Sequence, residues 1–104
     1  MKRLSSAELY EQLKQQDCPY YILDVREQWE RDQHAIQPSE HVPLDQLDED
    51  AIDIPKDQPV VVYCHAGKRS AKAASQLIEW GWQDVYNLSD GILGWIHQTK
   101  QDEQ

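Results

Sequence analysis

The run Cys64-His65-Ala66-Gly67-Lys68-Arg69-Ser70 holds the residues whose types and spacing could do chemistry. The apolar stretch Val60-Val61-Val62-Tyr63 stops at a lone thiol, and a histidine, a glycine, two cations and a serine follow within six positions. A helical pattern then begins. A thiol at such a junction faces the unpaired N–H groups and the partial positive charge of a helix N-terminus. The turn before the helix can aim further N–H groups at one point and form an anion nest. Both favour thiolate over thiol. Lys68 and Arg69 act in the same sense where they point at the sulfur. Thiols so placed fall from a pKa of about 8.5 to roughly 3.5–7.5. The result is a nucleophile at neutral pH that needs no dedicated base. Gly67 opens backbone conformations closed to other residues and lets an anion approach closely. The competing reading is a buried cysteine ending a core strand, a common place for free cysteine. A core cysteine does not call for the glycine, the cations and the serine, so the loop reads as a reactive thiol site.

The elements around the loop follow from pattern. Val60–Tyr63 has no polar alternation, which predicts a central strand covered on both faces. Ala71, Ala74, Leu77 and Ile78 recur at helical spacing and predict a helix from about Ser70 to Trp80, capped by Gly81. Ser70 is expected to cap that helix through its hydroxyl. Tyr20–Val25 predicts another buried strand, Asp84–Leu88 a third and Lys2–Leu4 a short edge strand. Ser5-Ser6-Ala7-Glu8 fits a capping box and opens a helix with Leu9, Leu13 and Tyr10 inward. Asp17-Cys18-Pro19 breaks it. Glu27–Asp32 predicts a helical turn with Trp29 packed inward. His34–Pro43 is a polar connection, with a short strand in His41–Leu44. Leu44, Leu47, Ile52 and Ile54 are expected to dip into the core from irregular segments, while the acids between them form a solvated face. Asp90-Gly91 turns the chain into a last helix, Ile92–Gln98, with Trp95 buried and residues 99–104 as a frayed tail. Trp80 and Trp82 are expected to be half exposed. Alternating strands and helices predict an α/β fold, a mainly parallel sheet of about five strands with helices on both faces. Sites in such sheets form beyond the carboxyl ends of the strands, which is where Cys64 sits.

Composition narrows the partners. A chain of 104 residues reads as a single domain. Its net charge of −9 argues against nucleic acid, which is bound by neutralising phosphates, and against anionic membrane surfaces. No stretch approaches the roughly 20 apolar residues of a membrane span. The start, MKRLSSAELYEQLKQQ, has no apolar h-region, so the expected compartment is the cytoplasm. With only two cysteines, Cys18 and Cys64, a disulfide scaffold is not expected, and reduced thiols are. Cys18 reads as incidental. No spaced set of Cys and His suggests a metal, and no cofactor is implied. His34 and His41 read as solvated or capping residues. Asp24 and Arg26 read as a structural pair at a strand end.

The loop, in the form Cys-x-x-Gly-x-Arg-Ser, resembles the active-site loop of the rhodanese (sulfurtransferase) family. Three further stretches agree, in order: ILDVREQWE at residues 22–30, HVPLDQL at 41–47 and LSDGILGW at 88–95. Two departures stand out. Residues 32–40 lack both glycines of the family's Gly-His-Ile-Pro-Gly-Ala segment, so a rebuilt turn is expected. Asp90 stands where the first glycine of the family's ending is common.

The resemblance implies a three-layer α/β/α domain and a double displacement. Cys64 would take sulfur from thiosulfate or a similar small anionic donor, carry it as a persulfide and yield it to a thiol or to cyanide. The backbone N–H groups of residues 65–70 would cradle the persulfide. Lys68 is the candidate for attracting the donor. Arg69 either does likewise or pairs with an acid to hold the loop. For His65, gripping the substrate, acting as a base and simple exposure stay open. Two other readings remain: a relay module that hands its persulfide to a partner with poor thiosulfate turnover, and a phosphatase or arsenate reductase. Folds of the latter kind separate Cys and Arg by five residues, whereas four separate Cys64 and Arg69.

Overall fold

A computed structural model describes residues 1–15 and 18–102. Five strands alternate with helices: β1 (Lys2–Leu4), β2 (Tyr21–Asp24), β3 (Glu40–His41), β4 (Val60–Tyr63) and β5 (Val85–Leu88). The α-helices are α1 (Ser6–Lys14), α2 (Gln28–Gln33), α3 (Lys68–Glu79) and α4 (Gly91–Asp102). All strand pairs are parallel, in the order β1-β5-β4-β2-β3, so β4 is central and ends at Cys64.

Period-two alternation divides β4 between two cores. Val60, Val62 and Cys64 join one with Ala73, Ala74 and Leu77 of α3, and Ile52, Leu44, Leu47 and Ile54 fold in from irregular segments as expected. Val61 and Tyr63 join the other with Leu9 of α1 and Ile92 and Trp95 of α4. These are the two helical layers. All four residues of β4 are fully buried. Full burial of each valine contributes about 1.5–3 kcal/mol relative to exposure.

The helix ends show what local sequence can do. At α1, Ser5 Oγ accepts the Glu8 N–H at 3.1 Å and Glu8 Oε1 accepts the Ser5 N–H at 3.1 Å, the expected capping box. The helix ends at Lys14, and the breaker Asp17 lies outside the described residues. At the end of α3, Gly81 adopts φ +108°. Its N–H bonds to Ile78 O at 3.0 Å and that of Trp82 to Leu77 O at 3.1 Å, a Schellman motif. That turn folds Trp82 back onto Leu77 and buries it, with the Lys56 ammonium 3.3 Å from the ring centroid. Trp80 is half-buried as expected, and Trp82 corrects the expectation of half exposure.

Other expectations are corrected too. Trp29 is 62% exposed rather than inward. The six-residue α2 buries no side chain at all and is held by polar links instead. α4 continues to Asp102, past the expected end at Gln98, and the Thr99 hydroxyl donates to Trp95 O and Ile96 O. Residues 99–102 are therefore helical and not a frayed tail.

Two expected departures are rebuilt with side chains. The connection after α2 is tied by Arg31, which donates to Ser39 Oγ at 3.0 Å and Ser39 O at 2.8 Å. Asp90 accepts the Ser6 N–H and hydroxyl at 3.0 and 2.9 Å, fastening the start of α1 to the start of α4.

Candidate active site

Gly67 determines the shape of the loop. It sits at φ +97°, in the left-handed region, and a Cβ there would lie 2.6 Å from Ser89 O. This reversal lets α3 start at Lys68, two residues earlier than the pattern suggests, and directs N–H groups back at the end of β4. Cys64 Sγ accepts from the Gly67 N–H at 3.2 Å and from the Ser70 N–H at 3.3 Å. The other side of the loop is anchored by the first turn of α4. Its otherwise unpaired donors bind the loop carbonyls, Ile92 N–H to Cys64 O at 2.8 Å and Leu93 N–H to His65 O at 3.3 Å. Gly91, at φ +60°, makes room, because a Cβ there would overlap the His65 carbonyl.

Ser70 is not the cap. It lies inside α3, fully buried, and Gly67 occupies the N-cap position. Its hydroxyl stands 3.4 Å from Cys64 Sγ and donates to Asn87 Oδ1 at 2.5 Å. Asn87 is oriented in turn by donating from Nδ2 to Gly67 O at 3.2 Å. The Ser70 proton is thereby directed to Asn87, and the Cys64 thiol donates to Ser70. On ionisation the sulfur keeps both N–H donors, and the hydroxyl can turn to it. Burial pushes the Cys64 thiol up. The hydrogen bonds of the Ser70 hydroxyl and of the Ser70, Gly67 and Ala66 N–H groups outweigh that, leaving the thiol below its ordinary value. Cys64 is 1% exposed, so only a small or protruding reactant reaches it.

The remaining loop residues separate. His65 is exposed and lines a cavity of about 140 Å³ with Trp29 and Leu93. Ala66 is exposed and contributes its backbone. Lys68 is exposed at the first position of α3. Arg69 makes a bidentate pair with Glu30, at 2.7 and 2.8 Å, the acid partner that one of its two expected roles calls for.

The sequence pattern of the Rhodanese-like domain family matches residues 5–98. The chain belongs to that family. The thiosulfate sulfurtransferase GlpE of Coxiella burnetii is 34% identical over 102 residues, 97% of this chain and 94% of that protein. A sulfurtransferase of Allochromatium vinosum is 35% identical over 71% of this chain and 69% of its own length. The crystal structure of a rhodanese-like domain protein from Staphylococcus aureus superposes with a TM-score of 0.83 at 28% identity, covering 91% of each chain.

Two residues of this rhodanese-like site were not singled out from sequence. Asn87 is a polar side chain in an otherwise apolar strand, and a buried amide of that kind signals a hydrogen-bond partner. Glu30 was visible only as the partner of Glu27 in a second capping box on α2. The hydrogen bond from Arg69 holds its carboxyl at about 2, against an ordinary 4.5. A depressed carboxyl contributes stability that is present above about pH 4.5 and lost as pH falls towards 2. Glu30→Gln should therefore lower stability by about 1 kcal/mol at pH 7, a value discounted for the partly exposed Arg69. The gap from wild type should close between pH 4.5 and 2 in thermal melts. A gap that persists at the acid end would assign the loss to packing instead.

Proposed function

We propose that this protein is a sulfurtransferase that carries a sulfane sulfur on Cys64 as a persulfide. The observation that carries the reading is the Cys64 sulfur at the focus of the Gly67 and Ser70 N–H groups, at 3.2 and 3.3 Å. Such a nest stabilises an anion on sulfur, whether thiolate or persulfide. The pairing of Arg69 with Glu30 disfavours the phosphatase-like reading, in which the arginine would face the oxyanion.

In the first half-reaction the Cys64 thiolate attacks the outer sulfur of thiosulfate. The new S–S bond forms as the donor's S–S bond breaks, and sulfite leaves with the electron pair. In the second, an acceptor thiolate or cyanide attacks the outer persulfide sulfur and releases the Cys64 thiolate. Lys68, exposed at the first position of α3 four residues after Cys64, attracts the dianionic donor. Thiosulfate as donor is supported by the name of the Coxiella relative. No described helix is long and apolar enough to cross a membrane, and Cys18 and Cys64 are both free thiols, which suits a reducing, cytoplasmic setting.

Intact mass after incubation with thiosulfate tests this. A gain of one sulfur, about 32 Da, that dithiothreitol removes is the expected result. No gain with Cys64 free and reduced would overturn thiosulfate as donor and, with it, this reading.

A further inference from the structure

The chain carries 19 acidic residues against 10 Lys and Arg, yet two neighbouring cations on α3, just after the sulfur loop, stand without an acid partner among the described residues. Lys2, Lys14, Arg26, Arg31, Lys56 and Arg69 all pair with acids. Lys68 and Lys72 have no ion pair among the described residues, and both are exposed. They stand one turn apart on the same face of α3, where like charges repel and destabilise the helix by a few tenths of a kcal/mol. With Arg69 and the apolar Leu44 they line an open groove of about 430 Å³ beside the Cys64 loop. The charge of Arg69 is already met by Glu30, so Lys68 and Lys72 set the potential of this groove.

Resting on the sulfurtransferase reading above, we propose that this groove selects the acceptor: a thiol that carries a carboxylate several bonds from its sulfur. The acceptor's apolar spacer crosses Leu44 and its carboxylate reaches Lys72. Lys68, next to the loop, suits a charge close to the reacting sulfur, as in thiosulfate. Lys72 lies a further turn away, about 5.4 Å along the helix, and suits only a longer molecule. In the transfer step the acceptor thiolate attacks the outer sulfur of the Cys64 persulfide. The persulfide S–S bond breaks, its electron pair returns to the Cys64 sulfur, and the acceptor leaves as its own persulfide.

The test compares 6-mercaptohexanoate with 6-mercaptohexanol, matched in thiol and spacer, as acceptors for the wild type, Lys72→Gln and Lys72→Glu. Sulfur loading from thiosulfate is read first by mass. The wild type should show a KM for the acid about fivefold below that for the alcohol, the scale of one exposed ion pair. Lys72→Gln should bring the two within about twofold, Lys72→Glu should reverse them, and added salt should erase the wild-type preference. The short acid 3-mercaptopropionate should respond little to either substitution, because its carboxylate stops near Lys68. Loading without an acid preference, or a preference that survives Lys72→Glu, overturns the acceptor proposal alone. Absence of loading overturns the sulfurtransferase reading and the acceptor proposal with it.

Discussion

Cys64→Ser should lose thiosulfate:cyanide sulfur transfer by more than about 10³-fold, with no sulfur gained in intact mass. A serine hydroxyl does not ionise near neutral pH, and no titratable side chain hydrogen-bonds to Cys64 Sγ among the described residues to help it. His65 is exposed and makes no hydrogen bond to the sulfur among the described residues. The loop is built to stabilise a charge that already exists, through the N–H groups of Gly67 and Ser70, rather than to remove a proton. The same donors can serve a serine oxygen, so the variant should keep the wild-type fold by circular dichroism. Cys18, the other free thiol, serves as an internal control. Sulfur found on Cys18, or loading retained in Cys64→Ser, would sink the assignment of the nucleophile. In the wild type, the loading rate should reach half its plateau below the ordinary thiol pKa of about 8.5, because the hydrogen bonds at Cys64 outweigh its burial.

Asp24→Asn should cost about 3–5 kcal/mol, a large part of the 5–15 kcal/mol that holds a small protein folded. The melting temperature should fall by roughly 15–30 °C. Asp24 is fully buried, and its two oxygens accept from Arg26 Nε and Nη2, each at 2.9 Å. They also accept from the Arg26 N–H at 3.0 Å, Arg31 Nη1 at 3.2 Å and the Tyr63 hydroxyl at 3.0 Å. An asparagine keeps the shape, loses the charge and turns an NH₂ towards donors. Arg26, with 3% of its side chain exposed, would then be a buried cation without its carboxylate, left with the His34 and Glu30 carbonyls. Burial raises the Asp24 carboxyl, but the bonds and charge of Arg26 and the Tyr63 bond outweigh it and lower the carboxyl overall. Its contribution is therefore present above the unfolded value of about 3.9 and fades as pH falls further. Melts of wild type and variant should converge in acid. The double variant Asp24→Leu/Arg26→Met should recover part of the loss, since the unmatched charge goes with the pair. A single variant as stable as wild type would show that the network adds no net stability.

The physics that made particular elements legible also explains those that were not. The four apolar residues of β4 could only be a covered central strand, and Ser5 with Glu8 could only be a helix start, because each signal is contained in a few neighbouring residues. Trp29 misled for the opposite reason. Burial of an aromatic depends on a surface to meet, and α2 is held by Arg26, Glu30 and Arg69 rather than by an apolar face. Ser70 misled because a serine near a helix start is an ordinary cap. Here the left-handed Gly67 had already begun the helix and carried Ser70 inside, to Cys64 and Asn87.

By itself the sequence determined the parallel α/β alternation, the place of Cys64 at the carboxyl end of the central strand and its glycine-shaped loop. These follow from periodicity and from local backbone preference. Only the tertiary structure decided that Arg69 turns to Glu30, that Asn87 directs the Ser70 hydroxyl, and that Lys68 and Lys72 stand without an ion pair among the described residues. Each of those outcomes depends on which side chains, 17 to 39 positions apart in the pairs with Asn87 and Glu30, the packing brings within hydrogen-bond reach. No local pattern encodes that distance.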